Sequence, residues 1–164
     1  MNKYVLLCVT LFVTVAWGGQ ELNVLSDNFK GDQSKGISVF TGKVRLTKGS
    51  DELNATKVTI YTDKARKPLK YIAEGNVSFY IVTEGGEKYK GVSQRAIYLP
   101  NESEYQFYTK VDLIRIDDFR RVKGDKVVVN ENEGFANADS SGGEPVLMTF
   151  TLEDKNSTKK STKK

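Results

Sequence analysis

Tyr71-Ile72-Ala73-Glu74-Gly75-Asn76-Val77-Ser78-Phe79-Tyr80-Ile81 is the stretch whose reading decides the fold. Tyr71, Ala73, Gly75, Val77, Phe79 and Ile81 share one parity, while Lys70, Glu74, Asn76, Ser78 and Tyr80 share the other, with Ile72 as the exception. Alternation of this length describes a strand with one dry face and one wet face. Its centre, Glu74-Gly75-Asn76-Val77-Ser78-Phe79, also stands 33 residues earlier as Thr41-Gly42-Lys43-Val44-Arg45-Leu46. A weaker copy follows 34 residues later as Tyr108-Thr109-Lys110-Val111-Asp112-Leu113. Between the copies runs a second strand type, residues 55–60, 93–98 and 124–129. There Ala55, Ser93 or Gly124 is followed three positions on by Val58, Ala96 or Val127. A repeat of this size is a unit that cannot close a core alone and stacks on its neighbours. Strand, turn, strand, repeated, gives an elongated all-β stack, a shape suited to a scaffold or channel more than to a catalytic pocket.

Outward from the repeats, turns are marked by Lys48-Gly49-Ser50-Asp51, residues 64–68, Glu84-Gly85-Gly86 and Leu99-Pro100-Asn101. Parity changes between Ala55 and Val58, and again between Leu113 and Ile116, predict bulges that bend the sheet. Leu22-Asn23-Val24 reads as a short edge strand, residues 136–144 as a loop, and Val146 to Leu152 as a last strand. No window after residue 19 carries helical periodicity. The domain is expected over residues 20–154, with a disordered lysine-rich tail at 155–164.

Residues 1–19 have the layout of a secretory signal peptide: Lys3, an apolar run from Tyr4 to Ala16, then Ala16-Trp17-Gly18 as a small-residue cleavage site. The segment is either removed or retained as an anchor. Cys8 follows Leu7, where a lipoprotein cysteine would follow a small residue, so cleavage leaves a chain without cysteine or disulfide. Histidine is absent, which removes the commonest general base and metal ligand. The net charge of +4 belongs to the ends: Lys3 and five tail lysines account for six of 25 basic residues, leaving 19 against all 21 acids in residues 20–154. A folded basic face for nucleic acid is not indicated.

The succession Gly-x-Val-x-Leu/Phe, small residue with Val or Ala three positions on, then Gly-x-Val again resembles the OstA-like repeat of lipopolysaccharide transport proteins over residues 37–130. Thr109 in place of the third Gly, and Thr56 and Gln94 where the family often has Asp, depart from the pattern. The resemblance implies an open twisted β-jellyroll whose groove sheathes the acyl chains of lipopolysaccharide (lipid A). It also implies a periplasmic, non-enzymatic carrier without cofactor that joins end to end, with LptC-like and LptD-like proteins as terminal partners.

The dry faces supply the candidate groove lining: Val44, Leu46, Val58, Ile60, Val77, Phe79, Ile81, Phe107, Val111, Leu113, Val127 and Val129. A long apolar trough rewards acyl chains at about 0.8 kcal/mol per buried methylene. The same residues would equally form a sandwich core closed to ligands, because alternation reports burial and not what does the burying. Leu22, Val24 and Leu25 at one end, and Val146, Met148 and Phe150 at the other, are the candidate edges for another chain's strand. Lys43, Arg45, Arg95, Arg115, Arg120 and Arg121 are candidate phosphate contacts at the groove mouth, or the wet face of their strands, with Arg120-Arg121 beside Asp117-Asp118 reading as a self-neutralising turn. The tail lysines would meet anionic lipid or simply keep that end soluble.

Ser157-Thr158-Lys159-Lys160 is a Ser-x-x-Lys pattern without supporting motifs, and Asp117-Asp118 and Glu131/Glu133 lack metal-ligand spacing. Asn54, Asn76, Asn101 and Asn156 head Asn-x-Ser/Thr sequences, of which only Asn156 lies on a plainly accessible segment. Beside the lipid carrier stand two other readings: an exported structural or adhesive β-repeat protein with a closed core, and a small exported glycan hydrolase using carboxylates. The third lacks an acid/base constellation.

Overall fold

A computed structural model of the protein describes residues 21–130, 132 and 135–150. The expected signal segment, the lysine-rich tail with Asn156, Glu131 and Glu133, and the end of the last expected strand lie outside the described residues. Ten strands follow in order: β1 (Leu22–Leu25), β2 (Asn28–Asp32), β3 (Ile37–Lys48), β4 (Asp51–Thr62), β5 (Pro68–Val82), β6 (Lys88–Leu99), β7 (Glu104–Arg115), β8 (Arg121–Asn130), β9 (Phe135–Asp139) and β10 (Leu147–Thr149). All pairings are antiparallel and give one open sheet in the order β1-β3-β4-β5-β6-β7-β8-β10, with β2 also on β3 and β9 also on β8. The described residues are all-β.

The Gly-x-Val repeats fold this sheet along its middle. Gly42-Lys43, Gly75-Asn76 and Thr109-Lys110 each form a pair with positive φ, at 80° and 46°, 82° and 47°, and 62° and 54°. Each pair opposes a single residue on the next strand, Thr56, Gln94 or Asp125. Such bulges insert one residue and sharply bend the strand. Lined up across the sheet, they divide it into two flanks that face each other over a common core. Immediately after each bulge, the repeat valine pairs with the repeat's small residue: Val44 with Ala55, Val77 with Ser93, Val111 with Gly124. These valines sit in the crease at 1%, 1% and 2% exposure. A small partner is what lets the two strands bend around a β-branched side chain there. Three positions on, Val58, Ala96 and Val127 pair with Phe40, Ala73 and Phe107 on the first flank.

Several sequence expectations change. The parity change at Ala55–Val58 is part of the bulge line, but the one at Leu113–Ile116 is only the end of β7, with Ile116 already in the turn. Residues 136–139 belong to β9 rather than to a loop, held by pairing with β8 in spite of their polar composition. β2, likewise polar, pairs along β3. Ile72, the exception in the alternation, is buried on the outer face beside Thr59 and Ile97, its register partners.

Candidate functional site

The inner face carries three apolar rows that cross the sheet strand by strand. On the second flank the row is Val24, Leu46, Leu53, Phe79, Gly91, Leu113, Val122 and Met148. On the first flank the row is Phe29, Phe40, Val58, Ala73, Ala96, Phe107, Val127 and Ala138. A third, nearer the lip of the same flank, is Ser38, Ile60, Tyr71, Tyr98, Tyr105, Val129 and Ala136. The first two run from one end of the sheet to the other, and the third runs from β3 to β9.

The flanks meet through aromatic rings. Phe79 and Phe107, on opposite flanks, stack with centroids 4.4 Å apart and planes at 15°. Tyr98 stacks on Tyr105 at 4.4 Å, and Tyr71 lies 5.9 Å from Tyr98. The Tyr71 hydroxyl is pushed above its ordinary pKa by burial and by the neighbouring Tyr98. Phe79 can lie flat because Gly91 is beneath it: a Cβ on Gly91 would sit 2.6 Å from the ring tip and 2.6 Å from the Asp112 carbonyl oxygen.

Between the flanks lie three adjoining spaces. One of about 50 Å³ is bounded by Leu46, Leu53, Tyr71, Ile81, Tyr98 and the Phe79–Phe107 pair. One of about 10 Å³ adjoins it at Phe79, Ile81, Tyr105 and Phe107. The largest, about 340 Å³, lies at the β8/β10 end, lined by Tyr89, Leu113, Val122, Val129, Ala136, Met148 and Phe150. A broader depression of about 990 Å³ lies elsewhere, over the β2–β3 turn and residues 62–66; its Asp32, Gln33, Lys35, Asp63 and Lys64 lining makes it a polar surface dish.

Charged groups edge the 340 Å³ mouth. Arg115 donates through Nε to Asp118 at 2.8 Å and through a terminal nitrogen to Glu87 at 2.9 Å, with a further short contact to Asp118. The Tyr89 hydroxyl donates to Glu87 at 3.0 Å. The Arg115 guanidinium holds the Asp118 carboxyl down to about pKa 2, helped by the Arg120 backbone N–H. Burial, then the hydrogen bond to Glu87, raises Tyr89. Arg120 also pairs with Asp118, at 2.6 Å, whereas Arg121 pairs with Asp112 on β7 rather than with Asp117, and that bond lowers Asp112. The expected self-neutralising turn thus exists through Arg120 and Asp118, while Arg121 pairs away from it with Asp112. Of the other candidate cations, Arg45 meets Glu52 at 2.7 Å and Arg95 lies 3.9 Å from Glu74, both on the outer face.

Nine of the twelve candidate lining residues are buried by protein alone: Val44, Val58, Ile60, Val77, Phe79, Phe107, Val111, Leu113 and Val127. Leu46, Ile81 and Val129 are half-buried against them. Phe79, Ile81, Phe107, Leu113 and Val129 wall the spaces near the mouth, and Leu46 and Val58 wall the far one. Tyr71, Tyr98 and Tyr105, with Leu53, Tyr89 and Val122, are further lining residues; Tyr71 already shares the dry parity of Phe79, but only cross-strand register brings the three tyrosines into one row. Among the edge candidates, Leu22 and Val24 turn inward against the core. Leu25 is 68% exposed, and Val146, Met148 and Phe150 are exposed at the opposite end. Phe29, 62% exposed and tilted at 38° against Phe40 with ring centroids 4.9 Å apart, joins Leu25 as the exposed apolar surface of the first end.

Comparison with known proteins agrees with this geometry. A family model described as LptA/(LptD N-terminal domain) LPS transport protein matches residues 23–135. The lipopolysaccharide export system protein LptA of Escherichia coli K12 is 27% identical over 143 residues, covering 84% of this chain and 76% of that protein. LptA of Shigella flexneri matches to the same extent. Among solved structures, LptH of Pseudomonas aeruginosa, described as the LptA-homologous periplasmic component of the lipopolysaccharide transport device, superposes with a TM-score of 0.69. That match has 19% identity and covers 81% of this chain and 96% of LptH.

Proposed function

Because the chain belongs to the LptA/(LptD N-terminal domain) family of lipopolysaccharide transport proteins, we propose that it is a periplasmic carrier that holds the acyl chains of lipopolysaccharide between its two flanks. The observation that carries this reading is the unbroken apolar row from Val24 to Met148, ending in the 340 Å³ mouth beneath Met148 and Phe150. Parting the Phe79–Phe107 stack costs about 0.5–1.5 kcal/mol beyond the apolar area it buries, and an acyl chain lying between the rings covers that area again. Burying roughly ten methylenes contributes about 8 kcal/mol, so acyl chains outweigh the protein's own closure. The polar, ion-paired rim holding Arg115 and Arg120 leaves the sugar and phosphate part of the ligand in water.

The carrier works in a row. Each end of the sheet presents a short strand with exposed apolar side chains, Leu25 and Phe29 at one and Leu147, Met148 and Phe150 at the other. Two different ends joined head to tail make a heterologous contact that propagates until capped, and LptC-like and LptD-like proteins are the caps. The N-terminal segment exports the chain, which acts without catalysis. Binding of intact lipopolysaccharide is compared with binding of the same molecule stripped of acyl chains. Tight binding of the first and loss of the second is expected; equal binding of both, or of neither, overturns the reading.

A further inference from the structure

The row nearest the lip of the first flank changes character at the first end. Tyr98, Tyr71 and Ile60 are followed in register by Ser38, and β2 then sets Gly31 against Ser38. Where the other strands raise a large side chain these two raise almost none, and the dish of about 990 Å³ opens there. Phe29 borders the dish and also begins the apolar row through Phe40 and Val58. Its ring leans over Gly31, where a Cβ would lie 2.9 Å from the ring tip. Two turns form the rim, and their charges are unevenly spent. Asp32 accepts from the Ser34 hydroxyl at 2.7 Å and from the Lys35 backbone N–H at 3.2 Å, with the Lys35 ammonium 3.5 Å away. Asp63 accepts from the Lys67 backbone N–H at 2.8 Å. Both carboxylates are thus committed to their own turns. Lys64 and Arg66 stand exposed on the rim, Arg66 at a φ of 64°, and among the described residues neither side chain meets a carboxylate. At the opposite mouth, Arg115 and Arg120 are paired with Glu87 and Asp118.

We propose that this dish receives the phosphorylated sugar head of the lipid, with Lys64 and Arg66 on its phosphate and the acyl chains running past Phe29 into the trough. The proposal rests on the carrier reading above and adds a head-group site to it. Arginine and lysine are the side chains that bind phosphate best, and Gln33, Ser34 and Thr62 in the lining offer amide and hydroxyl partners for sugar hydroxyls. Both cations face solvent, so each contact with phosphate is modest. Affinity comes from the chains, while the dish selects a phosphorylated head and holds it at the first end of the sheet.

The test measures the affinity of the full protein for lipid A and for the same lipid after enzymatic removal of its phosphates, both in one detergent. The phosphorylated form is expected to bind about 2- to 30-fold more tightly, the range of two exposed ion pairs. Lys64→Gln combined with Arg66→Gln should erase that ratio and leave binding of the dephosphorylated lipid as it was. Lys88→Gln combined with Lys90→Gln removes the same charge from exposed positions on β6 and should preserve the ratio. Lys64→Gln by itself, away from the left-handed position, should lower the ratio and serves if the double variant does not fold, which circular dichroism reports. A parent chain that binds both lipids equally, a ratio that survives the loss of Lys64 and Arg66, or one that the Lys88/Lys90 variant also erases overturns the dish and leaves the carrier reading standing. Binding of neither lipid overturns both.

Discussion

Thr109 holds a φ of 62° at the bulge where the two earlier repeats place Gly42 and Gly75 at 80° and 82°. A side chain in the left-handed region costs about 1–2 kcal/mol, and a β-branched residue there is a true outlier. Thr109 is exposed, so removing its side chain forfeits little packing. Glycine gives back about 0.5–1 kcal/mol in unfolded-state entropy. Thr109→Gly is therefore expected to stabilise the protein by about 0.5–1 kcal/mol, a rise in Tm of roughly 2–4 °C for a domain of this size. The reverse change at the middle repeat is expected to do the opposite and more. At Gly75 a Cβ would lie 2.7 Å from the Thr56 hydroxyl oxygen and 2.8 Å from its Cβ, and Thr56 donates to the Gly75 carbonyl at 3.2 Å. Gly75→Thr thus adds steric overlap to backbone strain, a loss of about 2–3 kcal/mol. The only tryptophan, Trp17, lies in the expected signal segment and outside the described strands, so thermal and urea unfolding are best followed by far-UV circular dichroism. Equal or lower stability of Thr109→Gly would refute the argument that the third repeat folds through the same left-handed pair as the first two.

Further expectations rest on single contacts. Gly91→Ala should cost about 1–3 kcal/mol, because the new methyl meets both the Phe79 ring and the Asp112 carbonyl; urea midpoints measure it, and a neutral result would mean that Phe79 does not lie over Gly91. The Asp118 carboxyl is depressed to about pKa 2 by Arg115. Its stabilising contribution is complete above the unfolded value near 3.8 and is lost as pH falls through about 2. Melting temperatures between pH 4.5 and 2 should fall less steeply for Asp118→Asn than for the parent chain, and parallel curves would deny the pairing a role. Tyr71 and Tyr89 are raised, so their share of stability is intact below pH 10 and declines as pH rises toward their folded values. Replacing both with Phe should flatten the alkaline limb of the same curve.

Much of the fold was legible because its signals are local. Period-two alternation around Val77 and Phe79 locates β5, and the Gly-x-Val copies locate the crease. The small residues Ala55, Ser93 and Gly124 mark the partners of the crease valines, although only the register shows why they must be small. What stayed hidden depends on pairing at a distance. Segments Asn28–Asp32 and Phe135–Asp139 have little apolar pattern and are strands because an edge of β3 or β8 is there to receive them. Ile72 breaks the alternation because the outer face buries a short row of its own with Thr59 and Ile97. At the site, parity found the dry face but not the Phe79–Phe107 contact, which exists only because the sheet folds along its bulges. Leu22 and Val24, apolar and terminal, read as docking residues, whereas the register of β1 on β3 turns them inward.

Phe79 faces the trough and its neighbour Tyr80 lies on the outer face, in register with Glu52 and Lys90. A photocrosslinking amino acid at each of the two positions, in cells making lipopolysaccharide, therefore tests the central claim most directly. Adducts with lipopolysaccharide at Phe79 and none at Tyr80 are expected of a lipid-filled trough. Adducts at neither position, in a folded and exported protein, would mean that the flanks enclose only their own side chains and would contradict the account.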